Sequence, residues 1–259
     1  MSRATRVASA SGLGPLFAPG EEPKASPWPR AGEAWEVEIG FGKGRYLLRR
    51  AAGETETRFL GIEIASEYFR LVARRVARRR LTNVLLLDGD AQYLAATVLP
   101  RGFARAVHIY FPDPWPKSRH LRRRLFAPAS LDLLQGLLAP GGRLFFATDF
   151  LAYGEEVRRL LLSHPGTSVI VHEDPWPDGA RTNYESKYLV EGRPILRLEA
   201  VFSPEVVPHP AGLHDLLVGS TFSPAPESLP ASPPMPSTPK TPSAPATSPI
   251  HADILRPDP

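Results

Sequence analysis

Apolar positions in the middle of the chain follow two rhythms. Short, nearly unbroken apolar runs occur at Ala34–Ile39, Arg58–Ile64, Asn83–Leu87, Ala106–Phe111 and Arg143–Ala147. Such runs read as strands buried on both faces. Between them lie segments with helical spacing at Arg45–Ala52, Ser66–Arg80 and Ala91–Val98, and a stretch from Leu121 to Leu138 that Pro128 breaks or kinks. In Ser66–Arg80, Leu71, Val72 and Val76 share one face. Arg70, Arg74, Arg75, Arg78, Arg79 and Arg80 occupy the others, which fits a solvated face and an RNA-facing surface equally well. A helix at Leu151–Ser163 and strands at Ser168–His172 and Ile195–Phe202 complete the pattern. Strand alternating with helix predicts a doubly wound α/β sheet.

The ends follow neither rhythm. Residues 1–32 mix Ala, Ser, Gly, Pro and Arg and are expected to be a mostly disordered N-terminal segment. Met1–Gly20 is basic and free of acidic residues but lacks the amphipathic period of a transit peptide. Residues 203–259 hold 15 of the 30 prolines and read as a disordered tail rich in Pro, Ser and Ala. The expected folded domain is therefore 33–202. The tail carries five acidic and two basic residues, so residues 1–202 hold +7 of a net +4. A basic folded part suits an anionic partner. The chain has no cysteine, which removes disulfides and thiolate chemistry and fits the reducing cytoplasm. The seven histidines show no metal-ligand spacing, and no apolar run approaches a membrane span. Neither metal nor membrane is expected.

The chemistry concentrates at strand ends. After the first strand comes Glu38-x-Gly40-x-Gly42-x-Gly44, then a helix. Glycines let a ligand approach the backbone at a helix N-terminus. A dinucleotide fingerprint needs a third glycine at position 45, where Arg45 stands. Glu38 is a poor neighbour for pyrophosphate and a good one for an amine or a sulfonium. Glu63 ends the second strand about 20 residues on, where an acidic residue grips ribose hydroxyls. Asp90 follows the third strand and can accept from an adenine amino group, cap the next helix, or do both. The fourth strand stops at Phe111-Pro112-Asp113-Pro114-Trp115-Pro116, and Lys117, Arg119, Arg122, Arg123 and Arg124 follow. Prolines cannot continue a ladder, so Asp113 sits on a stiff loop. A carboxylate, an aromatic ring and a cationic track suit a base carried on a phosphate backbone. An ordinary Pro-rich turn with a solvated basic run is the plainer reading. Asp149 ends the fifth strand. Arg181–Tyr188 is a polar connection in which Thr182 and Glu185 have capping-box spacing.

Taken together, EIGFGKG (38–44), GIE (61–63), DA (90–91), FPDPWPKSRH (111–120), TDF (148–150) and RTNYESKY (181–188) resemble the bacterial-type tRNA (guanine-N7)-methyltransferases. The resemblance covers about residues 34–202. It implies a class I, Rossmann-like sheet of seven strands with the last hairpin antiparallel and helices on both faces. It implies S-adenosylmethionine as cofactor and the variable-loop guanine of tRNA, position 46, as substrate. By position it implies cofactor contacts at Glu38, Gly40, Gly42, Gly44, Glu63, Asp90 and Asp113, with Asp113 also catalytic. Substrate contacts fall on Lys117, Asp149, Thr182, Asn183, Tyr184 and Glu185. The family usually has Lys and Phe where Asn183 and Tyr184 stand. A methyltransferase acting on another base or an exocyclic amine is the alternative enzyme, although the second proline of its usual loop is missing after Pro114. A non-catalytic RNA-binding protein is the alternative of another class. Monomer and homodimer both stay open.

Overall fold

The computed structural model describes residues 6–9, 12–15, 28–29, 33–114 and 125–203. Trp115, Lys117, the basic run through Arg124 and the tail from 204 onward lie outside the described residues. In chain order the elements are β1 (Arg6–Ser9), β2 (Gly12–Pro15), β3 (Trp35–Ile39), α1 (Arg45–Gly53), β4 (Arg58–Glu63), α2 (Ser66–Arg79), β5 (Val84–Asp88) and α3 (Ala91–Thr97). They continue with β6 (Ala104–Tyr110), α4 (Pro128–Leu137), β7 (Leu138–Thr148), α5 (Leu151–Ser163), β8 (Thr167–His172), α6 (Asn183–Val190) and β9 (Leu196–Phe202).

The described strands form one sheet in the order β2-β1-β5-β4-β3-β6-β7-β9-β8. Strands β3 to β7 pair in parallel, and β9 runs antiparallel to both β7 and β8. This is the seven-stranded class I sheet with its antiparallel last hairpin. The strand order reverses between β3 and β6, and a doubly wound sheet opens its ligand crevice at that point.

Two differences from the sequence expectation matter. No element was expected within residues 1–32, yet β1 and β2 pair as a hairpin and β1 joins β5 antiparallel. Ala8 is buried there against α2. The hairpin covers the β5 edge, which would otherwise expose unpaired backbone groups. The described helix of the Leu121–Leu138 segment starts only at Pro128, at N1, where proline loses no helical hydrogen bond.

Each parallel strand is buried on both faces. Val37, Ile39, Leu85, Leu87, Val107 and Ile109 pack with α3, α4 and α5. Phe59, Val84 and Leu86 pack with Leu47 and Leu48 of α1 and with Phe69, Val72 and Val76 of α2. The alternation along β3 and β6 leaves Glu36, Glu38, His108 and Tyr110 on positions offset from that first apolar set, and all four are buried. Polar groups thus sit in the centre of the sheet, directly under the crevice.

Candidate active site

The turn after β3 is built for close approach. Gly40, Gly42 and Gly44 all have positive φ (74°, 49° and 71°). A Cβ added to Gly40 or Gly42 would meet nothing within 4 Å, so the backbone there is open. At Gly44 a Cβ would lie 2.8 Å from Val72, because the start of α1 is pressed onto α2. Two carboxylates fix this turn from below. Glu38 accepts a bond from the Leu47 N–H in the first turn of α1 (3.0 Å). Glu63 accepts from Gly42 N–H (2.8 Å) with one oxygen and from Ala65 N–H (2.9 Å) with the other. Each Glu63 oxygen retains a lone pair for a further donor.

Glu38 is almost fully buried, at 3% exposure. Burial, with a smaller contribution from the nearby Glu63 charge, pushes its pKa up to about 8 against the Leu47 hydrogen bond. A cation placed beside it would restore the ionised form.

Two cavities open over this turn. One, of about 630 Å³, is lined by Gly40, Gly42, Glu63, Asp90, Asp113 and Gln92 among others. A second, of about 260 Å³, takes in Glu38, Tyr46, Thr182, Asn183 and Lys187. They share Gly40, Gly42, Tyr68, Tyr110, Phe111 and Tyr184, so each opens on the other. Tyr184 is 57% exposed and forms part of their common rim. Both sizes suit small organic groups.

The second wall is the segment after β6. Phe111 has φ 52°, left-handed backbone that a bulky residue before proline avoids. Its N–H bonds the Ala147 carbonyl (2.7 Å), and its ring contacts Tyr184 and Tyr188 of α6 (centroids 6.2 and 5.6 Å). These contacts hold the strained residue and aim Pro112 and Asp113 at the larger cavity. Asp113 is exposed at its edge. Asp90 caps α3 through the Tyr93 N–H (3.0 Å) while lining the same cavity.

Not every implied contact reaches a cavity. Glu185 is fully buried, with one oxygen on Arg197 Nε (2.8 Å) and the other on Arg181 N–H (2.8 Å). Thr182 accepts from Glu185 N–H (3.0 Å) and caps α6. Glu185 therefore seats the helix start rather than facing a substrate. Asp149 pairs with Arg193 (2.9 Å) and lines neither cavity. Lys117 lies outside the described residues.

Sequence reasoning missed the layer beneath. Arg181 donates to the Tyr110 hydroxyl (2.6 Å), which contacts His108 Nδ1 (2.9 Å); His108 Nε2 contacts the Tyr46 hydroxyl (3.2 Å). The Arg181 guanidinium stacks 4.2 Å from the Trp176 ring and pairs with Asp178 (3.0 Å). Burial holds His108 below its ordinary pKa, while Glu36 pulls it the other way. Glu36 is the anion of the cluster. Burial opposes its charge, but His108, Arg105 and Arg50 outweigh that and hold it well below the usual carboxylate range. The legible signal was polar residues at alternate positions of otherwise apolar strands, Glu36-x-Glu38 and His108-x-Tyr110. Among the described residues, no group of three or more His, Cys, Asp or Glu is arranged to hold a metal ion, and no helix is long and apolar enough to cross a membrane.

The Methyltransf_4 family, a methyltransferase family, matches residues 33–198. A tRNA (guanine-N(7)-)-methyltransferase of Anaeromyxobacter dehalogenans is 39% identical over 178 residues, covering 66% of this chain and 87% of the relative. One from Nitrosococcus oceani is 36% identical, covering 61% and 67%. One from Treponema pallidum is 36% identical, and the match spans 64% of that relative's length. Among solved structures, a 16S rRNA (adenine(1408)-N(1))-methyltransferase from Catenulisporales acidiphilia with cosubstrate SAM aligns at TM-score 0.52 and 21% identity, covering 79% of this chain and 100% of that one. The 16S rRNA methyltransferase KamB aligns at TM-score 0.53 and 15% identity, covering 77% and 100%. These two bear on the fold alone. The chain belongs to the tRNA (guanine-N(7)-)-methyltransferase family.

Proposed function

We propose that the protein transfers the methyl group of S-adenosylmethionine to N7 of the variable-loop guanine, position 46, of tRNA. The observation that carries this reading is the pair of cavities joined along Gly40, Tyr110, Phe111 and Tyr184, with Asp113 at the edge of one and Asn183 in the other. Two compartments with a common rim suit a group transfer between two bound partners. The relatives above are named as tRNA (guanine-N(7)-)-methyltransferases, which supports the atom and the class of substrate.

The residues present fit the cofactor. Its adenosine would suit the larger cavity, lined by Glu63 and Asp90, where Glu63 would take the ribose hydroxyls and Asp90 would accept from the adenine amino group. Glu38, buried and hard to ionise without a cation, is the counter-charge for the amine or sulfonium end. When bound, the sulfonium supplies an electrophilic methyl and a neutral leaving group. Guanine N7 attacks with a lone pair and carries no proton, so the reaction needs no general base. The buried His108 is accordingly left to structure. Alignment and electrostatics lower the barrier. The purine gains positive charge as the bond forms. Asp113 stabilises that charge, and Tyr184 stacks on the base. Thr182 and Asn183 supply polar edges in the smaller cavity.

Label transfer from methyl-labelled S-adenosylmethionine to two tRNA transcripts tests the atom. The ordinary transcript should be labelled, and one carrying 7-deazaguanosine should not. Equal labelling of both would contradict attack by N7 and favour an exocyclic amine.

A further inference from the structure

A third concavity, of about 370 Å³, adjoins the smaller cavity. It is lined by Lys43, Arg45, Arg49, Arg75, Arg79 and Asn183, besides Gly44 and Leu48, and no acidic residue is among its lining. Lys43, Arg45 and Asn183 belong to both spaces, so one runs into the other. Four separate segments make it: the glycine turn, α1, α2 and, through Asn183, the start of α6. Arg75 donates to the Lys43 carbonyl (2.7 Å), which ties α2 to the turn, and Arg45 reaches the Asn183 side chain (3.5 Å). Arg49 is anchored on Asp178 (2.6 Å). Lys43, Arg45 and Arg79 are exposed.

The α2 arginines therefore divide. Arg75 and Arg79, one helical turn apart, face the groove, whereas Arg70, Arg74 and Arg78 are exposed and are absent from its lining. Like charges gathered in one concavity repel each other unless an anion joins them. Lysine and arginine donors at the mouth of a base-sized cavity match phosphate oxygens.

We propose that this groove holds the phosphates flanking the target guanine, so that the RNA backbone passes over α1 and α2 while the base enters the smaller cavity. The inference rests on the functional reading above, and it names a track separate from the basic run at 117–124.

The test compares two neighbouring charge reversals on the same helix turn, Arg79→Glu and Arg78→Glu. Filter binding of tRNA over a salt series reads out affinity and slope, and melting temperature checks folding. Arg79→Glu should weaken tRNA binding about tenfold and flatten the log–log salt slope by about 1, the value of one lost phosphate contact. Arg78→Glu should change each far less. Equal effects of the two variants, or none from Arg79→Glu, would overturn the groove. A wild-type protein that binds tRNA but leaves it unmethylated would instead sink the functional reading, and the groove would still be decided by the two slopes.

Discussion

Asp113 and Glu38 are both carboxylates of the candidate site, and their surroundings give them opposite work. Asp113 is exposed on a proline-stiffened loop. On the proposed role, stabilising charge that develops in the transition state, Asp113→Ala should lower kcat by about 10²–10³-fold. Single-turnover methyl transfer would measure this, and unchanged turnover would remove Asp113 from the chemistry. Glu38 is buried, and its pKa near 8 means that the ligand-free protein carries it protonated at neutral pH. Binding a cationic cofactor then expels a proton. Affinity for S-adenosylmethionine should rise with pH up to about 8 and level off above it, changing by at most about tenfold per pH unit. Calorimetric titration in buffers of different ionisation enthalpy would detect the released proton. Glu38→Gln should bind more weakly and without that pH dependence. The same group affects stability in the other direction. Its folded pKa lies above the ordinary 4.5, so its contribution to the ligand-free fold is present below that value and lost as the pH climbs through about 8.

At the scale of elements, α6 decides where the substrate side of the site lies. It is a short helix with exposed Tyr184, Leu189 and Val190, so packing alone does not fix it. Two devices anchor its start. Glu185 and Arg197, at 0% and 3% side-chain exposure, form a fully buried pair with β9. Removing one partner strands the other charge, so Glu185→Ala should cost about 3–5 kcal/mol in urea unfolding. A loss below about 1 kcal/mol, the level of a surface pair, would contradict the anchoring role. Arg181 supplies the second anchor by filling the aromatic box of Trp176, Tyr46, Tyr110 and Phe145. Arg181→Gln removes a stacked cation while keeping polarity. Amides of Asn183–Val190 should then exchange with solvent faster, and KM for tRNA should rise about tenfold while the affinity for S-adenosylmethionine stays near wild type. Unchanged exchange across α6 would show that Arg181 does not hold it. The same network links α6 to β6 through Tyr110, and Phe111 adds ring contacts from the loop side. Both walls of the site are therefore positioned by one set of side chains.

Across the whole molecule, the sheet follows from local pattern, while the site's supporting layer follows only from pairing. Apolar runs and glycine punctuation place β3 to β9 within a residue or two, except that β7 starts at Leu138, because each parallel strand must be apolar on both faces to be buried. Pro140-Gly141-Gly142 lies within β7, at a register shift between Leu138 and Arg143 against β6. The N-terminal hairpin was not legible. Its strands are four residues each, and the partner that stabilises β1 is the distant β5 edge. The placing of the glycine turn, Glu63, Asp90 and Asp113 around the crevice was legible, because a doubly wound sheet opens its crevice at the strand ends beside the order reversal. Glu185 could be read two ways in the sequence, because its spacing fits a contact and a capping residue alike, and only burial distinguishes the two settings. The Arg181–Tyr110–His108–Tyr46 chain joins residues more than 130 positions apart, and no local pattern announces it.

The most direct test of the account is the position of the product. The purified protein would methylate bulk unmodified tRNA, and borohydride reduction with aniline cleavage would cut the chain at 7-methylguanosine. The account predicts cleavage at one variable-loop guanine, dependent on S-adenosylmethionine and lost with Asp113→Ala. Methyl incorporation without any such cleavage would contradict it, leaving a methyltransferase of this fold that works on another atom.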